Sequence, residues 1–228
     1  QRAVPIQLFQ PGGGVAGHQG WQPPLYYALA ALILSPLDTS DYERQLVRNY
    51  ASSFVGDPAC CGRNIYYHPD SQNFPYSGTT LAVHLARLLS ICFGALTVGA
   101  THAIAKTLRP DQPIIALASA ALVAFNPSFL FASTLVSNDA PLAAFSALVL
   151  LVWVRWLSGK LALTGNSAAV LGILIGLGLL VKTTTLGLIP FSIAVIVVTA
   201  WRKRDWHFAI KGNLVMLAVA ALISGWWF

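Results

Sequence analysis

From position 161 to position 201 the chain runs for 41 residues with one charged side chain, Lys182. A single helix of that length would extend roughly 60 Å, about twice the hydrocarbon thickness of a bilayer. The stretch must therefore fold back on itself, and Lys182 and Gly187 mark the turn of a hairpin made of two membrane spans. The same length criterion, applied from position 81 onward, yields apolar runs at 81–105, 114–136, 140–157, 161–181, 183–201 and 212–228. Charged residues make up 10% of the chain and apolar residues 56%, whereas a soluble domain carries roughly 25% charged residues. An ordinary soluble enzyme is excluded. The expected fold class is all-α, a polytopic helical membrane protein with about six transmembrane helices.

A net charge of +6 would suggest a nucleic-acid partner in a soluble chain, but here the basic residues are segregated by connection. Lys106 and Arg109, then Arg155 and Lys160, then Arg202, Lys203, Arg204 and Lys211 supply eight of the 14 basic residues, and the tips at 137–139 and 182–185 supply one. Because cytoplasmic loops collect Lys and Arg, the three basic connections are expected in the cytoplasm. The two tips and residues 1–80 are then extracytoplasmic, in a multi-pass protein of the cell membrane with no nucleic-acid partner.

Residues 1–80 differ in kind, with Gly12-Gly13-Gly14, a Pro23-Pro24 pair, five of the eight acids and four arginines. Within them 25–35 is apolar and bounded by Pro24 and Pro36, which suit a helix start and stop. Ten helical residues cover only about 15 Å, so this segment reads as a juxtamembrane helix at the outer surface; the other reading is a truncated seventh span. The acids Asp38, Asp41, Glu43, Asp57 and Asp70 read as solvated, and the long loop 37–80 as a cover for an external pocket. Cys60-Cys61 forms a strained vicinal disulfide or stays free. Gly12, Gly14 and Gly17 match G-x-G-x-x-G, but no strand precedes them, and the five histidines share no metal-ligand spacing. Gly172 and Gly176, one helical turn apart, permit close helix packing within one subunit. Asn126-Pro127 reads as a kink with a polar contact to a neighbouring helix. The chain opens at Gln1 without an initiator Met and stops in an apolar run, as a fragment would.

The string from His18 to Tyr27, with Gln22-Pro23-Pro24-Leu25 at its centre, resembles the His/Lys-Pro-Pro-Leu segment in the first external loop of the C-type (GT-C) glycosyltransferase superfamily. That superfamily includes the protein O-mannosyltransferases and the lipid A aminoarabinose transferases. The resemblance continues in order through Ala86-Arg87-Leu88, Asn126-Pro127, Ser137-Asn138-Asp139 and Gly178-Leu179-Leu180-Val181-Lys182. Two departures stand out. The family's upstream span and the acidic pair after it, which supplies the catalytic base, are not in this sequence, and Gln22 stands where the family has Lys or His.

The resemblance implies transfer of a sugar from a polyprenyl-phosphate donor to an acceptor on the outer face. The lipid-linked sugar is the donor substrate and no separate cofactor is implied. Such a reaction needs a carboxylate to take the acceptor's proton and cations to stabilise the departing phosphate. Asp139 is the catalytic candidate. Arg87 and Lys182 are phosphate-binding candidates, and His18, Gln22, Tyr26 and Tyr27 are substrate-binding candidates. Each charge also has a structural reading. Asp139 favours a helix N-terminus, Lys182 can snorkel from a span end, and Arg87 can sit at the interface. The rival function is a noncatalytic membrane subunit, partnered by other subunits, that keeps the scaffold.

Overall fold

The computed structural model describes residues 22–49 and 66–228. His18, Cys60 and Cys61 lie outside the described residues. The described chain is helical apart from one two-residue strand pair, so it is a helical membrane protein of the all-α class. It divides into two compact units, one made of the residues up to Ala28 together with Ser90–Phe228, the other of Leu29–Leu89.

Among the described residues four helical segments are long and apolar enough to cross a membrane: Gly78–Leu108 (α3), Asp139–Leu157 (α6), Thr183–Arg202, and Trp206–Ser224 (α9). The third is a 3-10 turn at Thr183–Gly187 followed by α8, Leu188–Arg202. The apolar run 114–136 is carried by two helices, Pro113–Ala124 (α4) and Pro127–Thr134 (α5), bent by 61° where they meet. Pro127 has no N–H to continue the ladder of α4 and is well placed at the first position of a new helix. Asn126 accepts the Phe129 N–H at 3.1 Å. Its side chain caps the helix that Pro127 opens, in place of the expected contact with a neighbouring helix.

Gly165–Val181 (α7) has 17 residues and is the most enclosed helix of the larger unit. It is apolar all round, as a buried helix should be. Thr164 caps its start, accepting the Ser167 N–H, and Ser167 accepts the Thr164 N–H in return, a reciprocal capping box. Its glycines set the packing. A Cβ on Gly172 would stand 2.5 Å from the Met216 carbonyl oxygen, and one on Gly176 would stand 2.9 Å from Ile223 Cβ. Higher numbers on α7 thus meet higher numbers on α9, so these two helices run parallel, with an apolar core of Leu171, Ile175, Ile196 and Met216, all fully buried. Trp153 of α6 donates its indole N–H to Ser192 Oγ of α8 at 3.1 Å.

The smaller unit takes in most of Leu25–Leu34 (α1), Tyr42–Gln45 (α2), the antiparallel pair Val47–Arg48 (β1) and Tyr66–Tyr67 (β2), and the start of α3. Asp41 was expected to be a solvated loop acid, but it holds the first turn of α3. Its carboxylate accepts the Thr79 N–H at 2.9 Å, the Thr79 hydroxyl at 2.5 Å and Gln45 Nε2 at 3.0 Å. Gly78 has φ +54°, and a Cβ there would lie 2.6 Å from that carboxylate; both facts require glycine.

Candidate functional site

The tip between α5 and α6 and the break between α7 and α8 meet in the larger unit. α6 begins at Asp139 and α7 ends at Val181, where Lys182 turns to extended backbone at φ −157°, ψ 134°. The two helices are joined at the opposite end by a short turn, so the start of one lies beside the finish of the other. Lys182 Nζ donates to Asp139 Oδ1 at 2.6 Å, with the two side chains 27% and 52% exposed. Each charge also sits on the helix end that its sign favours. Ser137 Oγ donates to the other carboxylate oxygen at 2.8 Å and accepts the Asp139 N–H at 3.1 Å.

Asn138 is the buried hub beneath this pair. Its Nδ2 donates to the Val181 carbonyl and to Gln22 Oε1, both at 3.0 Å. It thus ties the end of α7 to the Pro-Pro segment, whose Pro23 is fully buried. An asparagine before an apolar run reads in sequence as a helix cap, but this side chain makes no cap bond. Only the meeting of three distant segments reveals its use.

The other candidates take separate places. Gln22 is engaged by Asn138. Tyr26 is fully buried, with its hydroxyl 2.7 Å from Ser90 Oγ, and anchors the start of α1. Tyr27 is half-buried; burial first, then Tyr26 and the negative charge of Asp139, push its phenol above the usual tyrosine range. Arg87 lies in the smaller unit, exposed on the first half of α3, with no carboxylate partner among the described residues. Asp139 and Lys182 are the charged candidates brought into direct contact. A carboxylate whose counter-cation can be drawn off by a phosphate is suited to proton transfer; an ammonium at a helix end is suited to an anionic leaving group.

A family model described as dolichyl-phosphate-mannose-protein mannosyltransferase matches residues 61–228. The chain belongs to this family. Comparisons with curated proteins and with solved structures give no match. The mannosyltransferase family domain is of the C type, as the ordered motifs imply, and it supports a membrane glycosyltransferase. The matched stretch contains Arg87, Asp139 and Lys182, whereas the His18–Tyr27 string precedes it.

Proposed function

We propose that the protein, alone or as part of a longer chain, transfers a sugar from a polyprenyl-phosphate donor to an acceptor on the extracytoplasmic face. The observation that carries this reading is the contact between Asp139 and Lys182, residues 43 apart in sequence and both inside the stretch matched by the mannosyltransferase family. In the proposed step the donor phosphate competes with Asp139 for the Lys182 ammonium. The freed carboxylate accepts the proton of an acceptor hydroxyl as its oxygen bonds to the sugar's anomeric carbon. The bond from that carbon to phosphate oxygen breaks, and polyprenyl phosphate leaves with the electron pair, stabilised by Lys182. Tyr27 contacts the donor or acceptor, and Gln22 and Tyr26 position the segment that bears it.

The sidedness rests on the basic connections. Lys160 Nζ donates to the Thr107 carbonyl at 2.6 Å, which brings the end of α3 to the turn between α6 and α7. The parallel run of α7 and α9 places the basic turn at 202–204 at that same end, away from Asp139 and Lys182. Such a concentration of cations supports a cytoplasmic location for that end. The second reading, a noncatalytic subunit, draws support from the same ion pair, since a lysine and an aspartate that neutralise each other can serve only to join α6 to α7. Membranes bearing the full-length protein, supplied with radiolabelled dolichyl-phosphate mannose and an acceptor protein, separate the two. Transfer that disappears in Lys182→Met and Asp139→Asn supports the enzyme, and absence of transfer by the wild type supports the subunit.

A further inference from the structure

At the end of the larger unit remote from Asp139, the turn between α8 and α9 forms an open cleft of about 580 Å³ lined by Trp201, Arg202, Arg204 and Trp206. Both indoles are more than half exposed. Lys203, exposed, adds a third cation to the turn, and none of the three has a carboxylate partner among the described residues. The acid in the turn, Asp205, accepts the Phe208 N–H at 2.9 Å and so caps α9.

Arg204 is the informative residue. It has φ +56°, the left-handed region that costs a side-chain-bearing residue strain and that glycine enters freely. The surrounding bonds show why the backbone needs that conformation. Arg204 N–H donates to the Trp201 carbonyl at 3.0 Å and Asp205 N–H to the Ala200 carbonyl at 2.9 Å, the paired bonds of a Schellman helix ending. α6 ends with the same two bonds, from Gly159 to Trp156 and from Lys160 to Arg155, and there the left-handed position holds Gly159 at φ +72°. At two like turns at the same end of the unit, the chain uses glycine in one and an arginine in the other. The arginine is the one whose side chain lines a cleft, and an observed backbone outlier of this kind points to a function carried by its side chain.

We propose that this cleft binds the phosphate-bearing headgroup of an anionic membrane lipid, independently of the chemistry at Asp139 and Lys182. Two guanidinium groups offer planar, paired donors to phosphate oxygens. The flanking tryptophans suit the headgroup level of a bilayer, where one edge of the ring meets water and the rest meets acyl chains. The site lies on a helical hairpin whose apolar sides are membrane spans, so a lipid reaches it by lateral diffusion.

The test titrates the full chain, in a neutral detergent, with phosphatidylglycerol or phosphatidylcholine and counts retained lipid by native mass spectrometry. The wild type is expected to retain phosphatidylglycerol in preference to phosphatidylcholine by about tenfold or more, a factor that corresponds to a single strong interaction. Arg204→Gly should abolish most of that preference while leaving the melting temperature unchanged or higher, since glycine relieves the left-handed position. Arg202→Gln should weaken retention without that gain. Equal retention of the two lipids, or undiminished preference in Arg204→Gly, overturns the proposal. So does displacement of phosphatidylglycerol by millimolar glycerol phosphate, which would assign the cleft to a soluble anion.

Discussion

Asn138 and Asp139 are adjacent, yet they should respond to substitution in opposite ways. The Asp139–Lys182 pair is partly exposed, and such pairs contribute about 0–1 kcal/mol. Asp139→Asn and Lys182→Met are therefore expected to shift stability by less than about 1 kcal/mol while eliminating sugar transfer. Asn138→Ala removes a buried donor from the Val181 carbonyl and from Gln22, and an orphaned buried group costs about 1–3 kcal/mol. Thermal unfolding in detergent beside a transfer assay checks both. The prediction fails if Asp139→Asn melts as early as Asn138→Ala. The sequence placed the two charges at the same membrane level, because each lies at a tip between apolar runs, and their contact is consistent with that placement. The role of Asn138 was not legible there, because its partners are 43 and 116 residues away and no local pattern distinguishes a cap from a hub.

Between elements, the decisive residues are those that let backbones approach. Gly172 faces the Met216 carbonyl, and a methyl group there cannot be accommodated without moving α9. Gly172→Ala is expected to cost about 1–3 kcal/mol, the range for overpacking a filled interior. Gly165→Ala, where no atom lies within 4 Å, should be close to neutral and serves as the control in the same melting experiment. The glycine spacing was readable in sequence, although its partner helix was not. The helix pair that replaces the run 114–136 follows from a local rule at Pro127. The anchoring of α3 by Asp41 does not, since it depends on a loop returning 38 residues in sequence. Hydrogen bonds from the Thr79 hydroxyl, then its N–H, then Gln45 lower the Asp41 carboxyl from 3.8 to about 2. A folded value below the unfolded one stabilises the protein above the unfolded value and ceases to do so as pH falls through about 2. Asp41→Asn should accordingly lower the melting temperature at neutral pH, with the gap from wild type closing between pH 4 and pH 2. A gap that stays constant over that interval would remove Asp41 as the anchor.

For the whole molecule, membrane orientation follows from charge distribution in a way that no single helix can settle. Each apolar span is nearly symmetric in its ability to cross a bilayer, so direction is decided by which connections resist translocation, and Lys and Arg dominate that choice. The turn at 158–164 is flanked by Arg155 and Lys160 and shares its end with Lys106 and Arg109 through the Lys160–Thr107 bond. Ser158 is exposed in that turn, and Ser71 is exposed in the long loop before α3. In a background with Cys60, Cys61 and Cys92 replaced by serine, Ser71→Cys in intact cells should react with a membrane-impermeant maleimide. Ser158→Cys should react only after permeabilisation. The reverse pattern would invert every span and place Asp139 and Lys182 in the cytoplasm, where the proposed acceptor is not. It would also carry the Trp201–Trp206 cleft to the outer leaflet, so one labelling experiment assigns sides to both ends of the molecule.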